Sequence, residues 1–303
     1  HPFMNSLDSL KSSIISQFGT PCAVIDLDII KKNILRAQKI CDAAGVANRP
    51  HIKTHKSPLL AKMQIDAGAR GITCQKLGEA EVMAEAGIDD ILIATNILGA
   101  AKSGRLANLQ KRLPLKVCAD NQISLREYSI AAKAANRPLD VLIECDTGQK
   151  RAGVEEPKEA ARLIQLILKD NWLKFTGLLY YPPLNGWEDT QVFHNSLTKM
   201  LDDLKVEAKI ISTGGTPNFA NIGKLTGATE HRAGTCIFND MMMVEDGFAQ
   251  ITDCAFRVFT SVVSRANDDR GILDAGSKTL TSDTGGLQGY GYITEYPEAK
   301  IIK

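Results

Sequence analysis

Asn48-Arg49-Pro50-His51-Ile52-Lys53-Thr54-His55-Lys56 is the stretch from which we interpret the fold of this 303-residue chain. It follows an amphipathic segment at helical spacing that ends at Gly45, a residue type common just beyond a helix. The stretch contains two histidines and two lysines, and Pro50 fixes the local backbone. We therefore predict an extended segment that ends near Lys53 and presents this lysine at the end of a strand.

Short apolar runs alternate with helical patterns through most of the chain. The predicted strands are Thr20–Asp26, Gly71–Gln75, Asp90–Ala94, Leu115–Ala119, Leu139–Asp146, Phe175–Tyr180 and Lys209–Ser212. The predicted helices are Ile29–Ala44, Pro58–Ala67, Leu77–Ala86, Gln122–Ala135, Pro157–Lys169 and Thr190–Leu204. This alternation is typical of a parallel sheet covered by helices on both faces. About eight repeats, without a Gly-x-Gly-x-x-Gly after the first strand, favour an α/β fold of the (β/α)8 TIM-barrel type over a doubly wound sheet.

The carboxyl ends of the predicted strands indicate where the chemistry lies, because the active sites of such barrels are built at that edge. The residues at or just beyond these ends are Lys53, Gln75, Asn96, Asp120, Asp146, Tyr180 and Ser212.

The pattern changes from about Ala249 onward. Gln250–Ser264, Gly271–Asp274 and Gly289–Ile293 are predicted as strands without intervening helices. We predict an N-terminal segment over residues 1–19, a barrel over 20–248 and part of a C-terminal all-β module over 249–303. The module has few strands with which to close a sheet, so we expect it to be incomplete at Lys303.

Composition excludes several classes of protein. The formal charge of +1 gives no reason to expect a nucleic acid or an anionic membrane as partner. No apolar run approaches the roughly 20 residues that span a bilayer, and the N-terminus lacks a signal-peptide pattern. We interpret His1-Pro2-Phe3, which precedes Met4, as a tag remnant. The seven cysteines are scattered singly, which argues against a disulfide framework and favours the cytosol.

Lys53 differs from an ordinary surface lysine in its predicted position at a strand end, between His51 and His55. A partly desolvated pocket near other cations disfavours an ammonium, and the neutral amine is the nucleophile of Schiff-base chemistry. The two histidines are four residues apart, which on a helix would suit two metal ligands, but this stretch is predicted as strand and loop. Stacking on a cofactor ring, or a hydrogen bond that holds the lysine, is the favoured role for them.

Two glycine-rich loops follow the last strands. Ser212-Thr-Gly-Gly-Thr-Pro-Asn218 comes directly after a predicted strand, and Arg232-Ala-Gly-Thr235 follows one repeat later. Such loops late in a barrel are typical of a phosphate cradle made of backbone N–H groups and hydroxyls. The candidate cradle residues are Ser212, Thr213, Gly214, Gly215, Gly234 and Thr235.

Arg151 lies in a further loop at the same edge, Asp146-Thr-Gly-Gln-Lys-Arg-Ala-Gly153. It is either one partner of a surface charge pair or a cation that faces the pyridine nitrogen of a cofactor and keeps that nitrogen unprotonated.

Five segments together resemble the D-threonine aldolase and D-serine dehydratase-like family, which belongs to the alanine racemase-like (fold type III) pyridoxal phosphate enzymes. They are Pro50–Lys56, Gln75–Glu81, Asp146–Gly153, Arg232–Thr235 and Asp274-Ala-Gly-Ser-Lys278. The resemblance implies pyridoxal 5'-phosphate bound to Lys53 as a Schiff base, beside His51 and Gln75. It implies Arg151 against the pyridine nitrogen, and Tyr180 or Tyr181 with the two glycine loops around the phosphate.

Two features depart from the family pattern. Members usually bind a divalent metal, zinc, manganese or magnesium, through a His-x-Cys or His-x-Asp pair in the β-module. No such pair occurs in this sequence, and we expect the ligands to lie beyond Lys303. The loop Tyr181–Trp187 lacks the histidine of some relatives, which leaves the base that acts on the β-hydroxyl unassigned.

The resemblance implies a lyase that splits a β-hydroxy D-amino acid into glycine and an aldehyde. A D-serine dehydratase, which gives an oxo-acid and ammonia, is the close alternative, and an amino acid racemase is less favoured. A non-catalytic pyridoxal-phosphate-binding barrel is the least favoured, because such proteins usually lack an appended β-module. The resemblance also implies a homodimer.

Overall fold

The chain forms two compact units. The computed structural model describes residues 6–303, so the tag interpretation of His1-Pro2-Phe3 lies outside the described residues. One unit is Ile34–Gly234, and the other joins the residues before Ile34 to Thr235–Lys303. The predicted domain boundaries at 19/20 and 248/249 stay a prediction.

The elements follow one another in a regular α/β order through the larger unit. The strands are β1 Cys22–Ile25, β2 Ala47–Asn48, β3 Ile72–Cys74, β4 Ile91–Ile93, β5 Lys116–Ala119, β6 Leu139–Cys145, β7 Leu173–Tyr180, β8 Ile210–Gly214, β9 Glu230–Arg232, β10 Phe256–Phe259, β11 Val262–Asn267 and β12 Arg270–Leu273. The helices are α1 Ser6–Phe18, α2 Leu27–Ala43, α3 Pro58–Asp66, α4 Leu77–Glu85, α5 Ala100–Arg112, α6 Gln122–Ala135, α7 Pro157–Leu168, α8 Trp187–Asp203 and α9 Met241–Glu245. No helix in residues 6–303 has the length and apolar character that crossing a membrane requires.

The predicted (β/α) barrel is confirmed. Within the described residues, β2 to β9 form one eight-stranded parallel sheet in the order β2-β9-β8-β7-β6-β5-β4-β3. The side chains that pack against one another inside the barrel are those of Leu92, Cys118, Leu142, Leu179 and Ile210. Their strand neighbours point the other way and pack under the helices, as the alternation of side chains along a strand requires.

The stretch Asn48–His51 closes this barrel. On one side, the N–H of Arg49 donates to the carbonyl of His231 at 2.9 Å, in continuation of the β2–β9 ladder. On the other side, the N–H of Thr73 donates to the carbonyl of Pro50 at 2.8 Å, and His51 bridges Thr73 in parallel. The two end strands of the sheet are thereby joined through the residues just before Lys53.

Three sequence predictions need correction. The strand predicted at Thr20–Asp26 exists as β1, but it is only half-buried and pairs antiparallel with β10 instead of entering the parallel sheet. The run Gln250–Ser264 is broken, because Gln250 N–H donates to the Asp253 carboxylate and starts a 3-10 turn at Ile251–Asp253. Residues 289–293 form no strand in the described structure. An apolar run of four or five residues does not specify its pairing partner.

The sequence also failed to predict β9. All three residues of Glu230–Arg232 are polar or charged, yet all three are buried between β2 and β8. Hydrophobic patterning cannot find such a strand, because its polar side chains are satisfied by other polar groups and not by solvent.

Asp274, from one of the family motifs, has a structural role in the second unit. Its carboxylate accepts hydrogen bonds of 2.6 Å from the hydroxyls of Thr20 and Thr260. This motif residue therefore joins Thr20, which precedes β1, to the ends of β10 and β12.

Arg49 is a fully buried cation in the larger unit. Its Nε lies 2.9 Å from Oε2 of Glu230, and its Nη1 lies 2.7 Å from Oδ1 of Asp90. Asp90 also pairs with Lys116 at 3.1 Å. Burial alone would raise the pKa of Asp90, but these two cations hold it below its usual value. The network links β9 to the start of β4 across the barrel.

We expect Arg49→Ala to lower the free energy of unfolding by about 3–5 kcal/mol, because it removes the directly bonded partner of the buried Glu230 carboxylate. Urea denaturation measures the loss. Arg112→Ala, which removes an exposed pair of 3.0 Å with Glu85, is the matched control and should cost under about 1 kcal/mol. Similar losses in the two variants would contradict a special role for the buried pair.

Candidate active site

Lys53 lies in a short 3-10 turn, Ile52–Thr54, directly after the barrel closure. His51 caps this turn, because its Nδ1 accepts a hydrogen bond of 3.3 Å from the backbone N–H of Lys53. Since Nδ1 accepts, Nε2 has the proton and donates to Oε1 of Gln75 at 3.2 Å. Two of the predicted site residues, His51 and Gln75, are thus hydrogen-bonded to each other beside Lys53.

The His51 imidazole is neutral. Burial lowers its pKa to about 3, with further contributions from the positive charges of Lys53 and Arg232. His55 has separate partners, because its Nε2 lies 3.0 Å from Oε1 of Gln64 and its Nδ1 accepts from the N–H of Ser57. No group of three or more His, Cys, Asp or Glu side chains within residues 6–303 could hold a metal ion.

The Lys53 amine has a special electrostatic environment. It makes no hydrogen bond or ion pair with another group of the described chain. The residue as a whole is exposed, yet enough protein surrounds the amine that burial is the main cause of a lowered pKa. The charges of Arg151 and Arg232 lower that pKa further, and the carboxylate of Glu79 opposes them. The site therefore favours the unprotonated amine, which is the nucleophilic form.

Asp146 organises the loop that contains Arg151. Its carboxylate accepts hydrogen bonds of 2.8–2.9 Å from the backbone N–H groups of Gly148, Gln149 and Arg151. The Arg151 guanidinium lies over the ring of Tyr181, 5.2 Å from the ring centroid. Arg151 is thus a cation with an aromatic contact, and the surface charge pair that was the other interpretation of this residue does not form among the described residues.

Of the two candidate tyrosines, Tyr181 lies beside the first glycine loop. A Cβ on Gly215 would lie 2.9 Å from Cε2 of Tyr181, and one on Gly214 would lie 3.0 Å from its Cδ2. Tyr180 is instead fully buried beneath α8, where its hydroxyl bonds Nδ1 of His194 at 2.9 Å. Because side chains alternate along β7, Tyr180 points to the helix layer and not toward the glycine loops.

Ser212 and Thr213 are both buried, and their hydroxyls bond to protein groups. The Ser212 hydroxyl donates to Oε2 of Glu230 at 2.9 Å and accepts from Nη1 of Arg232 at 2.6 Å. The Thr213 hydroxyl pairs with Nδ1 of His231 at 2.8 Å. The two side chains thus hold the end of β8 in place, and the glycines of the loop follow directly after them.

The second glycine loop contacts the lysine stretch directly. A Cβ on Gly234 would lie 2.8 Å from Oγ1 of Thr54 and 3.1 Å from the carbonyl of His51. Only a glycine allows this approach without displacing the turn that contains Lys53. Thr235 follows in the chain as the first residue of a 3-10 turn, Thr235–Ile237.

Arg232, the first residue of the second glycine loop, was not among the residues that the sequence predicts for the site. The guanidinium is buried in the barrel and donates to the Ser212 hydroxyl and, at 3.1 Å, to the carbonyl of Tyr180. The pairing of β8 with β9 sets Gly214 beside Arg232. The available sequence signal for Arg232 was that three polar residues, Glu230–Arg232, stand between the two glycine loops. This signal cannot be interpreted without knowing the strand register.

These residues fit pyridoxal phosphate. The amine of Lys53 has no protein partner, which an aldehyde-binding lysine requires. A Cβ at Gly214 or Gly215 would collide with Tyr181, and one at Gly234 with the lysine turn, so the three glycines bring both loops close to these residues. Two guanidinium groups, Arg151 and Arg232, lie close enough to the amine to lower its pKa, and they would attract an anionic ligand.

Comparison with known proteins shows the family to which the chain is similar. Residues 25–241 match the family described as alanine racemase, N-terminal domain, and residues 255–302 match the putative serine dehydratase domain. The D-threonine aldolase of Arthrobacter sp is 34% identical over 89% of this chain and 75% of its own length. The D-threo-3-hydroxyaspartate dehydratase of Delftia sp. (strain HT23) is 31% identical over 91% and 77%. The crystal structure of D-threonine aldolase from Filomicrobium marinum has a TM-score of 0.80 at 31% identity and covers 87% of this chain and 75% of that one.

The electrostatic account of Lys53 predicts opposite effects of two substitutions. Arg151→Gln removes a cation and should raise the pKa of the Lys53 amine, whereas Glu79→Gln removes an anion and should lower it. The pH dependence of Lys53 acetylation by acetic anhydride, followed by peptide mass spectrometry, measures both shifts. Acetylation of Lys56 in the same samples calibrates the reagent. Shifts of equal sign would contradict the proposed arrangement of charges.

Proposed function

Because this chain belongs to the alanine racemase N-terminal domain family, in the group of D-threonine aldolases and serine dehydratase-like proteins, we propose that it is a pyridoxal-phosphate-dependent lyase of β-hydroxy D-amino acids. Its named relatives in this group are aldolases and dehydratases, so an enzyme of the lyase type is the established part of this statement. The aldol cleavage that gives glycine and an aldehyde is the reaction we favour. The observation that most supports a pyridoxal-phosphate-dependent enzyme is the Lys53 amine, which has no hydrogen-bond partner in the described structure and lies beside two guanidinium groups and two glycine loops.

Pyridoxal phosphate, when bound, supplies an aldehyde that can bond to an amine and a ring that accepts the electron pair left at the amino acid Cα. Lys53 provides that amine, because its lowered pKa increases the unprotonated fraction near neutral pH. His51 holds the backbone of the lysine turn and, being neutral, adds no charge that would repel the ammonium. A Lys53 amine that is not bonded to the cofactor would be able to hold or return a proton at the substrate Cα.

The two glycine loops and Tyr181 are the proposed phosphate site. Gly214 and Gly215 let Tyr181 approach the first loop closely, and Gly234 lets the lysine turn approach the second, which a Cβ at any of them would prevent. Ser212 and Thr213 support this site through their hydrogen bonds to Glu230 and His231. Thr235 stays a predicted member of the site.

Arg151 and Arg232 are the two candidates for the cation at the ring nitrogen. The sequence favoured Arg151, which lies on a loop and contacts Tyr181. The contacts of Arg232 support it more strongly, because two acceptors fix its guanidinium inside the barrel mouth. A cation whose position is fixed in advance needs little reorganisation when charge develops on the ring.

The divalent metal, the cytosolic location and the pairing of two copies as a homodimer stay predictions, and the base that acts on the β-hydroxyl stays unassigned. These predictions follow from the family resemblance and from the composition, and the described residues neither supply a metal cluster nor include a second chain.

A dehydratase is the second candidate, supported by the match of residues 255–302 to the serine dehydratase domain and by the Delftia relative. In that reaction Lys53 takes the Cα proton, the β-hydroxyl leaves as water, and hydrolysis of the resulting enamine gives an oxo-acid and ammonia. The Cα–Cβ bond breaks in the aldolase reaction and stays intact in the dehydratase reaction, so the products identify the activity.

We expect the wild-type protein, incubated with pyridoxal phosphate, to develop an absorbance band near the visible edge that Lys53→Ala abolishes and the neighbouring control Lys56→Ala keeps. With D-threonine and added divalent metal, glycine and acetaldehyde should accumulate. An oxo-acid and ammonia from D-serine would select the dehydratase instead, and an L-enantiomer would select a racemase. Borohydride labelling of a lysine other than Lys53 would refute the proposed site.

The two arginines can be separated by substitution. If Arg232 meets the ring nitrogen, Arg232→Gln should reduce turnover roughly a hundredfold and alter the pH dependence of the absorbance band. Arg151→Gln should then leave that pH dependence unchanged. The reverse pattern would assign the ring nitrogen to Arg151, as the sequence predicts.

A further inference from the structure

Asn96 and Asp120 are polar residues at the carboxyl edge of the barrel that the proposed chemistry does not use. Asn96 follows β4, Asp120 follows β5, and the Arg151 loop (residues 147–153) follows β6. These three strands are neighbours in the sheet, so their carboxyl ends lie side by side. A chain of hydrogen bonds leads from Asn96 through Asp120 to the last residue of the Arg151 loop.

Asn96 fixes the orientation of Asp120 through both the backbone and the side chain. The backbone N–H of Asp120 can only donate and lies 3.2 Å from Oδ1 of Asn96, so the amide oxygen faces this N–H. Nδ2 of Asn96 donates to Oδ1 of Asp120 at 3.0 Å. Asn121 adds a second donor to the same carboxylate oxygen at 2.8 Å, and the Ser124 hydroxyl donates to Asn96 at 2.9 Å. The Asp120 carboxylate is therefore held in one orientation by its Oδ1.

The other oxygen of Asp120 holds the end of the Arg151 loop. Oδ2 accepts a hydrogen bond of 2.9 Å from the backbone N–H of Gly153, and so fixes the peptide unit that precedes this glycine. Gly153 has φ +117°, and a Cβ on it would lie 2.7 Å from the backbone N of Asp146, so a glycine is required here. The next residue, Val154, is bonded to the backbone of β6. The loop thus returns to the sheet directly after the residue that Asp120 holds.

Two carboxylates hold the two ends of the Arg151 loop. Asp146 accepts from three N–H groups in the loop, including that of Arg151, and Asp120 accepts from the last one. The Arg151 side chain between these anchors is exposed. Its guanidinium lies over the Tyr181 ring, 5.2 Å from the centroid, and forms no ion pair among the described residues. The place of this guanidinium therefore depends on how the backbone of the loop is held.

We propose that Asp120, oriented by Asn96, is a positioning residue: its carboxylate holds the end of the Arg151 loop and thereby keeps the guanidinium beside Lys53. The inference rests on the proposed function, since it takes Lys53 to be the amine that reacts. Asp120 acts through the position of Arg151 and touches neither the cofactor nor the substrate.

The sign of the effect on Lys53 distinguishes position from charge. The charged groups that act on the Lys53 amine are Arg151 and Arg232, which lower its pKa, and Glu79, which opposes them. Removing a carboxylate takes attraction away from an ammonium, so by charge alone Asp120→Asn could only lower the pKa of Lys53. If the loop is released, Arg151 spends more time in solvent, where its charge is screened. The pKa of Lys53 then rises.

The test measures the pKa of Lys53 from the pH dependence of its acetylation by acetic anhydride, in the full-length protein before cofactor is added. Asp120→Asn is the main variant, because an amide has a single acceptor oxygen and cannot serve both the loop and Asn96. Asn96→Ala loosens the carboxylate without altering any charge, and it supplies the test if Asp120→Asn does not fold. Asp140→Asn is the matched control, because it removes a carboxylate near the start of β6, at the opposite end of the barrel.

We expect Asp120→Asn to raise the pKa of Lys53, by no more than Arg151→Gln raises it, and Asn96→Ala to shift it in the same direction. Asp140→Asn should leave it unchanged. The double variant of Asp120→Asn with Arg151→Gln should match Arg151→Gln alone, because the guanidinium through which Asp120 acts is then absent.

An unchanged or lowered pKa of Lys53 in Asp120→Asn would overturn the role of Asp120, as would a rise in the double variant beyond that of Arg151→Gln. An unchanged pKa in Asn96→Ala would overturn the part assigned to Asn96. A wild-type protein that forms no Lys53-dependent chromophore with pyridoxal phosphate would overturn the proposed function and this inference with it. The acetylation profile needs no cofactor, so the two failures are distinguishable.

Discussion

The closure of the barrel by three residues of extended backbone is the constraint on which the rest of the structure depends. The N–H of Arg49 donates to His231 of β9 and that of His51 to Ala233 just beyond it, while Pro50 accepts from Thr73 of β3 on the other side. Because Lys53 follows two residues later, the same hydrogen bonds that complete the sheet also fix the point at which the lysine leaves it. A register slip of one residue would exchange the faces of these side chains, moving the buried Arg49 away from Glu230.

The side chains of β8 and β9 alternate between the inside of the barrel and the helix-covered face, and the two sets have different roles. The inward side chains form a charged group in which Arg232 and Glu230 meet the Ser212 hydroxyl. The outward side chains of Thr213 and His231 bond each other and the Gly215 carbonyl. The buried polar groups are satisfied by one another, which is the condition under which such groups are tolerated in a core. The glycine loop is consequently fixed from both faces of the sheet.

The charged groups at the strand ends disfavour a positive charge on Lys53 and favour a negative charge beside it. Burial and the charges of Arg151 and Arg232 disfavour the Lys53 ammonium, while His51 stays neutral because its own burial lowers its pKa. The same two guanidinium groups favour an anion at the adjoining loops. The lowered pKa of the Lys53 amine and the attraction of this edge for an anion are thus two results of one distribution of charge.

The sequence alone determined the barrel class and the position of Lys53, because the apolar runs have the period of strands and helices and because a lysine between two histidines at a strand end is unusual. It also identified the two glycine loops, since glycine marks close approaches directly. Only the tertiary structure decided that Tyr181 and not Tyr180 faces the first of those loops, and that polar β9 is a central strand. The reason is that register and side-chain direction depend on neighbouring strands, which are distant in sequence. The partners of Arg49, Arg232 and His231 were hidden for the same reason.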